Sequence, residues 1–110
     1  MDFLKLAENL GLDEDEFIEL AELFIETGLS DLKELKDAIE HGDETGIIGK
    51  SHSIKGSSGN LGFMDIYELA KNIEAEARDG VLTGHETVAD SIDDKMSQLI
   101  NALNEKNKNG

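Results

Sequence analysis

The sequence predicts an all-α fold: an antiparallel four-helix bundle with a short additional N-terminal helix. Three observations lead there. Apolar residues recur at spacings of three and four, and no segment sustains the strict alternation of a half-buried strand. The chain has no Pro, the commonest helix breaker. Cap and stop residues divide its 110 positions into lengths suited to helices joined by short turns.

Taken in order, Phe3, Leu6, Ala7 and Leu10 form a short first stripe closed by Gly11. Asp13 followed by Glu16 has the spacing of a capping box and opens a long second helix. Its stripe runs through Phe17, Leu20, Ala21, Phe24, Gly28, Leu32, Leu35 and Ile39, and His41-Gly42 ends it. Gly28 within that stripe costs about 1 kcal/mol relative to Ala, which predicts close approach of a neighbouring helix. Asp43 caps a third helix. Asp65 is the expected cap of a fourth, with Ile66, Leu69, Ala70, Ile73 and Ala77 inward and Asp79-Gly80 as its stop. Thr83-Gly84-His85-Glu86 has the form of a second capping box, opening a fifth helix through Val88, Ile92, Met96, Leu99 and Leu103. Residues 1–103 are expected to form one domain, and the polar residues 104–110 a frayed tail.

Composition narrows the function. The absence of Cys excludes disulfides, Cys-ligated zinc and thiol redox chemistry. A net charge of −15 argues against nucleic acid and anionic membrane surfaces as partners, since both select a basic footprint. No apolar run approaches the roughly 20 residues that span a bilayer, and the N-terminus lacks the pattern of a signal peptide. A cytoplasmic, monomeric protein is expected.

Against this acidic background, Thr45–Met64 contains no acid at all. His52 lies near its centre, with Lys50 and Lys55 close by and glycines at Gly46, Gly49, Gly56, Gly59 and Gly62. At about 100° per residue, Ile47, Ser51, Ile54, Ser58 and Leu61 share the core-facing stripe. His52 then projects about 140° away from Ile47. Gly49, Gly56 and Gly59 share its side, Lys55 falls between the two faces, and Lys50 lies on the far side. Three helical glycines on an exposed face would cost roughly 2–3 kcal/mol against alanine. Clearance for a docking partner is a reason to keep them, with Gly49 and Gly59 as the positions such a partner approaches.

A neutral imidazole is a competent nucleophile near pH 7, and a nearby ammonium would stabilise phosphoryl oxygens. An acid-free window around a histidine suits a negatively charged reactant, here a phosphoryl group. Other motifs fail. Gly46 to Ser51 imitates the end of a phosphate-binding P-loop, but Glu44 stands where its first glycine belongs. None of the three histidines has Glu three residues before it, as a di-iron bundle requires. An EF-hand starting at Asp13 would place Ile18 and Phe24 where Gly and Glu belong. Ser57 and Ser58 are read as packing or local hydrogen bonding, and His41 and His85 as caps or solvent-exposed residues.

The run His52-Ser53-Ile54-Lys55-Gly56-Ser57-Ser58-Gly59-Asn60-Leu61-Gly62 resembles the motif of the histidine-containing phosphotransfer (HPt) domains of two-component phosphorelays. The resemblance continues into the next helix at Glu74 and Arg78. Ser51 replaces the usual alanine, and Ile73-Glu74 a Leu-Glu pair. The resemblance implies a four-helix bundle on which His52 accepts a phosphoryl group from a phospho-aspartate and passes it to another receiver. Lys55 would be its charge partner and Gly56 the steric clearance beside it. The implied partners are response-regulator receiver domains and a hybrid histidine kinase. The protein would be a carrier without kinase activity and without a cofactor of its own, with Mg expected on the receiver. The phosphorylated domain of chemotaxis kinases is also similar, but it carries a histidine where this chain has Lys71-Asn72. A rival class is an acidic helical docking module in which His52 is incidental.

Overall fold

The structure, a computed structural model, describes residues 1–109, and among them it contains five helices and no strand. The helices are α1 (Phe3–Asn9), α2 (Glu14–His41), α3 (Glu44–Leu61), α4 (Met64–Arg78) and α5 (Glu86–Asn109). At 1.5 Å per residue the 28 residues of α2 span about 42 Å, which sets the 44 Å long dimension of the molecule. α2 packs on α1, α3 and α5, and α4 packs on α3 and α5.

The capping box at the start of α2 forms in both directions: Asp13 Oδ1 accepts from the Glu16 amide at 2.8 Å, and Glu16 Oε1 from the Asp13 amide at 3.2 Å. The turn into α3 needs only Gly42, in the left-handed region at φ 63°, and Asp43, whose side chain caps α3 through the Gly46 amide. Gly62, at φ 83°, closes α3 in the same way. These tight turns bring α2, α3 and α4 side by side.

The core draws on every helix. Phe17 packs against Phe3 and Phe63, with ring centroids 6.2 and 5.8 Å apart, and Phe24 lies 5.3 Å from Phe63. Ile47, Ile54, Ile73, Ile92, Met96 and Leu99 are all at most 1% exposed. Gly28 does mark a close approach: a Cβ there would lie 3.1 Å from Met96 Cε on α5. The inward stripe of α3 is half serine. Ser51 and Ser58 are fully buried, and each hydroxyl donates to the carbonyl one turn back, Ile47 and Ile54 respectively, at 2.6 Å. The short side chains let neighbouring helices approach while leaving no buried hydroxyl without a partner.

Five expectations are corrected. Leu20, placed on the α2 stripe by spacing, is 41% exposed. α4 starts at Met64 with Phe63 at its N-cap and no side-chain cap, so Asp65 lies inside the first turn. α5 starts at Glu86, leaving Thr83 too far upstream to cap it. His85, read as a cap or a solvent-exposed residue, is instead 1% exposed, and its Nε2–H donates to the Val81 carbonyl at 2.8 Å. The polar end expected to fray from residue 104 onward is helical through Asn109, with Lys106 paired to Glu14 at 2.8 Å and Asn107 reaching Glu22 at 3.5 Å. Gly110 lies outside the described residues.

Candidate functional site

α3 carries His52 at mid-length on its outer side, with the side chain 62% exposed. Its Nδ1 lies 2.9 Å from Oε2 of Glu74 on α4. Glu74 is 4% exposed, a buried carboxylate beside the inward residues Ile73 and Ala77. Three side chains converge on it. Lys55 Nζ, one turn beyond His52, is 2.6 Å from Oε1. Arg78, one turn beyond Glu74 on α4, donates to Oε2 from Nε at 3.0 Å and from Nη2 at 2.8 Å.

Burial pushes the Glu74 carboxyl upward, but hydrogen bonds from Lys55, Arg78 and His52 outweigh it and hold the group at about 2. The carboxylate is therefore ionised and can only accept. Hence the proton of the neutral imidazole sits on Nδ1, which assigns the tautomer from the hydrogen-bond network. Nε2 keeps its lone pair and has no hydrogen-bond partner among the described residues. An exposed ring held by one nitrogen presents the other as a nucleophile. With the ring neutral, two cations and one carboxylate leave the cluster one positive charge in excess.

The glycines divide in two. A Cβ at Gly49 or at Gly56 would meet nothing within 4 Å, so packing within the chain does not require glycine at either position. Both are exposed and stand one turn before and one turn after His52. Gly59, by contrast, faces α4: a Cβ there would lie 3.0 Å from Tyr67 Cδ2. Its place is against that ring, over which Lys71 Nζ stands 5.9 Å from the centroid.

Lys50 points to α2, where it pairs with Glu34 at 2.5 Å and with Asp31 at 3.8 Å, so its charge is matched away from His52. Asp31 also accepts from Ser53 Oγ at 2.7 Å. The hydroxyls of Ser57 and Ser58 bond back to their own helix. His41 is exposed at the end of α2, with Nδ1 2.7 Å from the Asp37 carbonyl. On the α2 side of the site lies an apolar groove formed by Leu10, Leu20, Leu23 and Leu61, with Ser57 and Asn60 at its rim. Ser57 is five residues beyond His52, about 7.5 Å along the helix.

Sequence reasoning did not assign Glu74 to the site. The signal available was the motif's continuation at Glu74 and Arg78. Nothing in the spacing reveals that a carboxylate 22 residues downstream touches the histidine.

The family model of the Hpt domain matches residues 19–102. No curated protein matches the chain. Among solved structures, the chain is similar to the histidine-containing phosphotransfer protein B from Pseudomonas aeruginosa PAO1. That likeness covers 100% of this chain and 96% of the other at 24% identity, with a TM-score of 0.85, and it establishes a common fold.

Proposed function

The chain belongs to the Hpt-domain family, the histidine phosphotransfer modules of phosphorelays, and from that premise we propose that His52 is its phospho-acceptor. Nε2 of His52 attacks the phosphorus of a phospho-aspartate on a response-regulator receiver domain. The N–P bond forms as the acyl-phosphate P–O bond breaks, and the electron pair leaves with the aspartate carboxylate. The reverse step delivers the phosphoryl group to the aspartate of another receiver. The single observation that carries this reading is the 2.9 Å hydrogen bond from His52 Nδ1 to Glu74, which leaves the exposed Nε2 as the reactive nitrogen.

Lys55 is the charge partner. It stands on the Glu74 carboxylate, 27% exposed, within a side chain's reach of an incoming phosphoryl group. Gly56 and Gly49 supply clearance, since both positions are open and neither is needed for internal packing. Gly59 belongs to the helix packing beneath the face rather than to the docking surface. The apolar groove at Leu20 and Leu23 is the natural continuation of the face a receiver covers. The role is that of a carrier without kinase activity. Mg would be held by the receiver, and no cofactor is assigned to this chain.

The reading takes α2–α5 as an antiparallel four-helix bundle with α1 as the short additional helix. Support comes from the ring of packed pairs α2–α3, α3–α4, α4–α5 and α2–α5. It also takes the protein to act as a cytoplasmic monomer. No helix among the described residues is long and apolar enough to cross a membrane. A hybrid histidine kinase, through its own receiver domain, is the expected upstream donor.

The test is incubation of the chain and its His52→Gln variant with a panel of phosphorylated receivers. Label that is acid-labile and base-stable on the parent alone is the expected result. Label on both chains would place the acceptor on another residue, and label on neither while binding is retained would favour a docking module in which His52 is incidental.

A further inference from the structure

We propose that Lys71 is a specificity-determining residue of the docking face, pairing with a carboxylate on the contact rim of the receiver domain that this chain takes. The inference rests on the reading of His52 as acceptor and adds to it a stated chemistry of partner. α4 lies beside α3 in a register fixed at two points: Tyr67 abuts Gly59, and Glu74 meets His52. Lys71, four residues after Tyr67 and three before Glu74, shares their side of α4 and falls between those two levels, at about the height of Lys55 and Gly56. Its Nζ stands over the Tyr67 ring, 5.9 Å from the centroid, and the residue is exposed. A partner that covers Nε2 of His52 and uses the clearance at Gly56 therefore comes within reach of Lys71.

α3 and α4 carry four cations, and they differ in what they already hold. Lys55 and Arg78 end on Glu74, and Lys50 ends on Glu34 and Asp31. The hydroxyls of Ser53 and Ser57 are likewise engaged, with Asp31 and with the Ser53 carbonyl. Among the described residues Lys71 makes no ion pair, although Glu68 is exposed three residues before it on the same helix. A cation over an aromatic face keeps its full charge. Uncancelled positive charge is scarce in a chain with 25 acids against 10 basic residues. A net charge of −15 repels an acidic partner in general, so the reversed sign at Lys71 selects where a carboxylate on that partner can sit. A receiver with a basic residue at that place would meet Lys71 as a like charge and be rejected.

The test uses the receiver that labels the parent fastest among the panel of phosphorylated receivers. Stopped flow follows its association at about 50 mM and about 500 mM salt, for the parent, Lys71→Gln, Lys71→Glu and Lys33→Glu. Lys33 is exposed on α2 and lines a shallow cleft with Asp93 of α5, so its reversal changes the net charge equally but away from the face. At the lower salt Lys71→Gln should slow association about threefold and Lys71→Glu about tenfold, and both deficits should shrink at the higher salt. Lys33→Glu should change association by less than about twofold, and the transfer rate at saturating receiver should stay nearly constant in every variant. Reversing one rim carboxylate of the receiver to Lys should restore association with Lys71→Glu. Unchanged association of Lys71→Glu at the lower salt, or an equal loss in Lys33→Glu, overturns the inference. So does failure of every single carboxylate reversal to restore association. A parent that takes up no acid-labile phosphate from any receiver of the panel fails earlier, and removes the acceptor reading as well.

Discussion

His52 Nδ1 and Glu74 Oε2 lie 2.9 Å apart, joining an exposed ring on α3 to a carboxylate buried on α4. Burying a charge is costly unless it is paired and hydrogen-bonded. Glu74 meets both conditions, because four N–H bonds from three side chains end on its two oxygens. Its burial makes the pairing matter: the site's charges are fixed in position by the packing of α3 on α4.

Acid should expose this arrangement. The Glu74 carboxyl is held at about 2, below its ordinary value of 4.5, so its stabilising contribution is present above pH 4.5 and is lost as pH falls towards 2. The contribution is about 3 kcal/mol, since each tenfold change in proton affinity is worth about 1.4 kcal/mol. Denaturant unfolding between pH 5 and pH 2 should show the parent losing about that much more stability than Glu74→Gln. Equal acid limbs would mean the ion pairs contribute nothing net.

The open and closed glycines predict opposite responses. Gly49→Ala and Gly56→Ala should each stabilise the fold by about 0.5–1 kcal/mol, because a helical glycine is replaced where space is free. Gly59→Ala should gain less or destabilise, since its methyl meets Tyr67 at 3.0 Å. Gly56→Leu should leave the fold intact while blocking transfer. Thermal unfolding and a transfer assay check both halves, and normal transfer in Gly56→Leu would remove the clearance role.

Lys55→Ala should slow transfer about five- to tenfold without abolishing it, in line with roughly 1 kcal/mol for a partly exposed charge. Single-turnover kinetics with a fixed receiver measure this. An unchanged rate would reduce Lys55 to a counter-ion of Glu74.

Leu23, 55% exposed in the groove, should matter for association alone. Leu23→Asp is expected to change stability by no more than about 0.5 kcal/mol. Receiver affinity should fall about tenfold with little change in rate at saturation. Calorimetric titration decides, and an unchanged affinity would move the docking surface elsewhere.

Local and periodic features were legible in the sequence. The Asp13–Glu16 box, the close approach of a neighbouring helix at Gly28 and the inward serines of α3 all follow from spacing. So does the outward projection of His52. What escaped depends on contacts between distant segments. Glu74 resembles any solvated helix acid until α3 brings three donors to it. His85 is buried with its ring bonded to the Val81 carbonyl, and the polar end of α5 is held by pairs to Glu14 and Glu22 more than 80 residues away in sequence. Gly59 shares a face with Gly49 by helical angle, yet only the position of Tyr67 separates their roles.

The most direct test of the central claim is to find the phosphorylated atom. Phosphorus–nitrogen correlation spectra of the ¹⁵N-labelled, phosphorylated chain should show one phosphoryl group, on Nε2 of His52, with Nδ1 bearing hydrogen. A phosphoryl group on Nδ1, or on any other residue, would contradict the account.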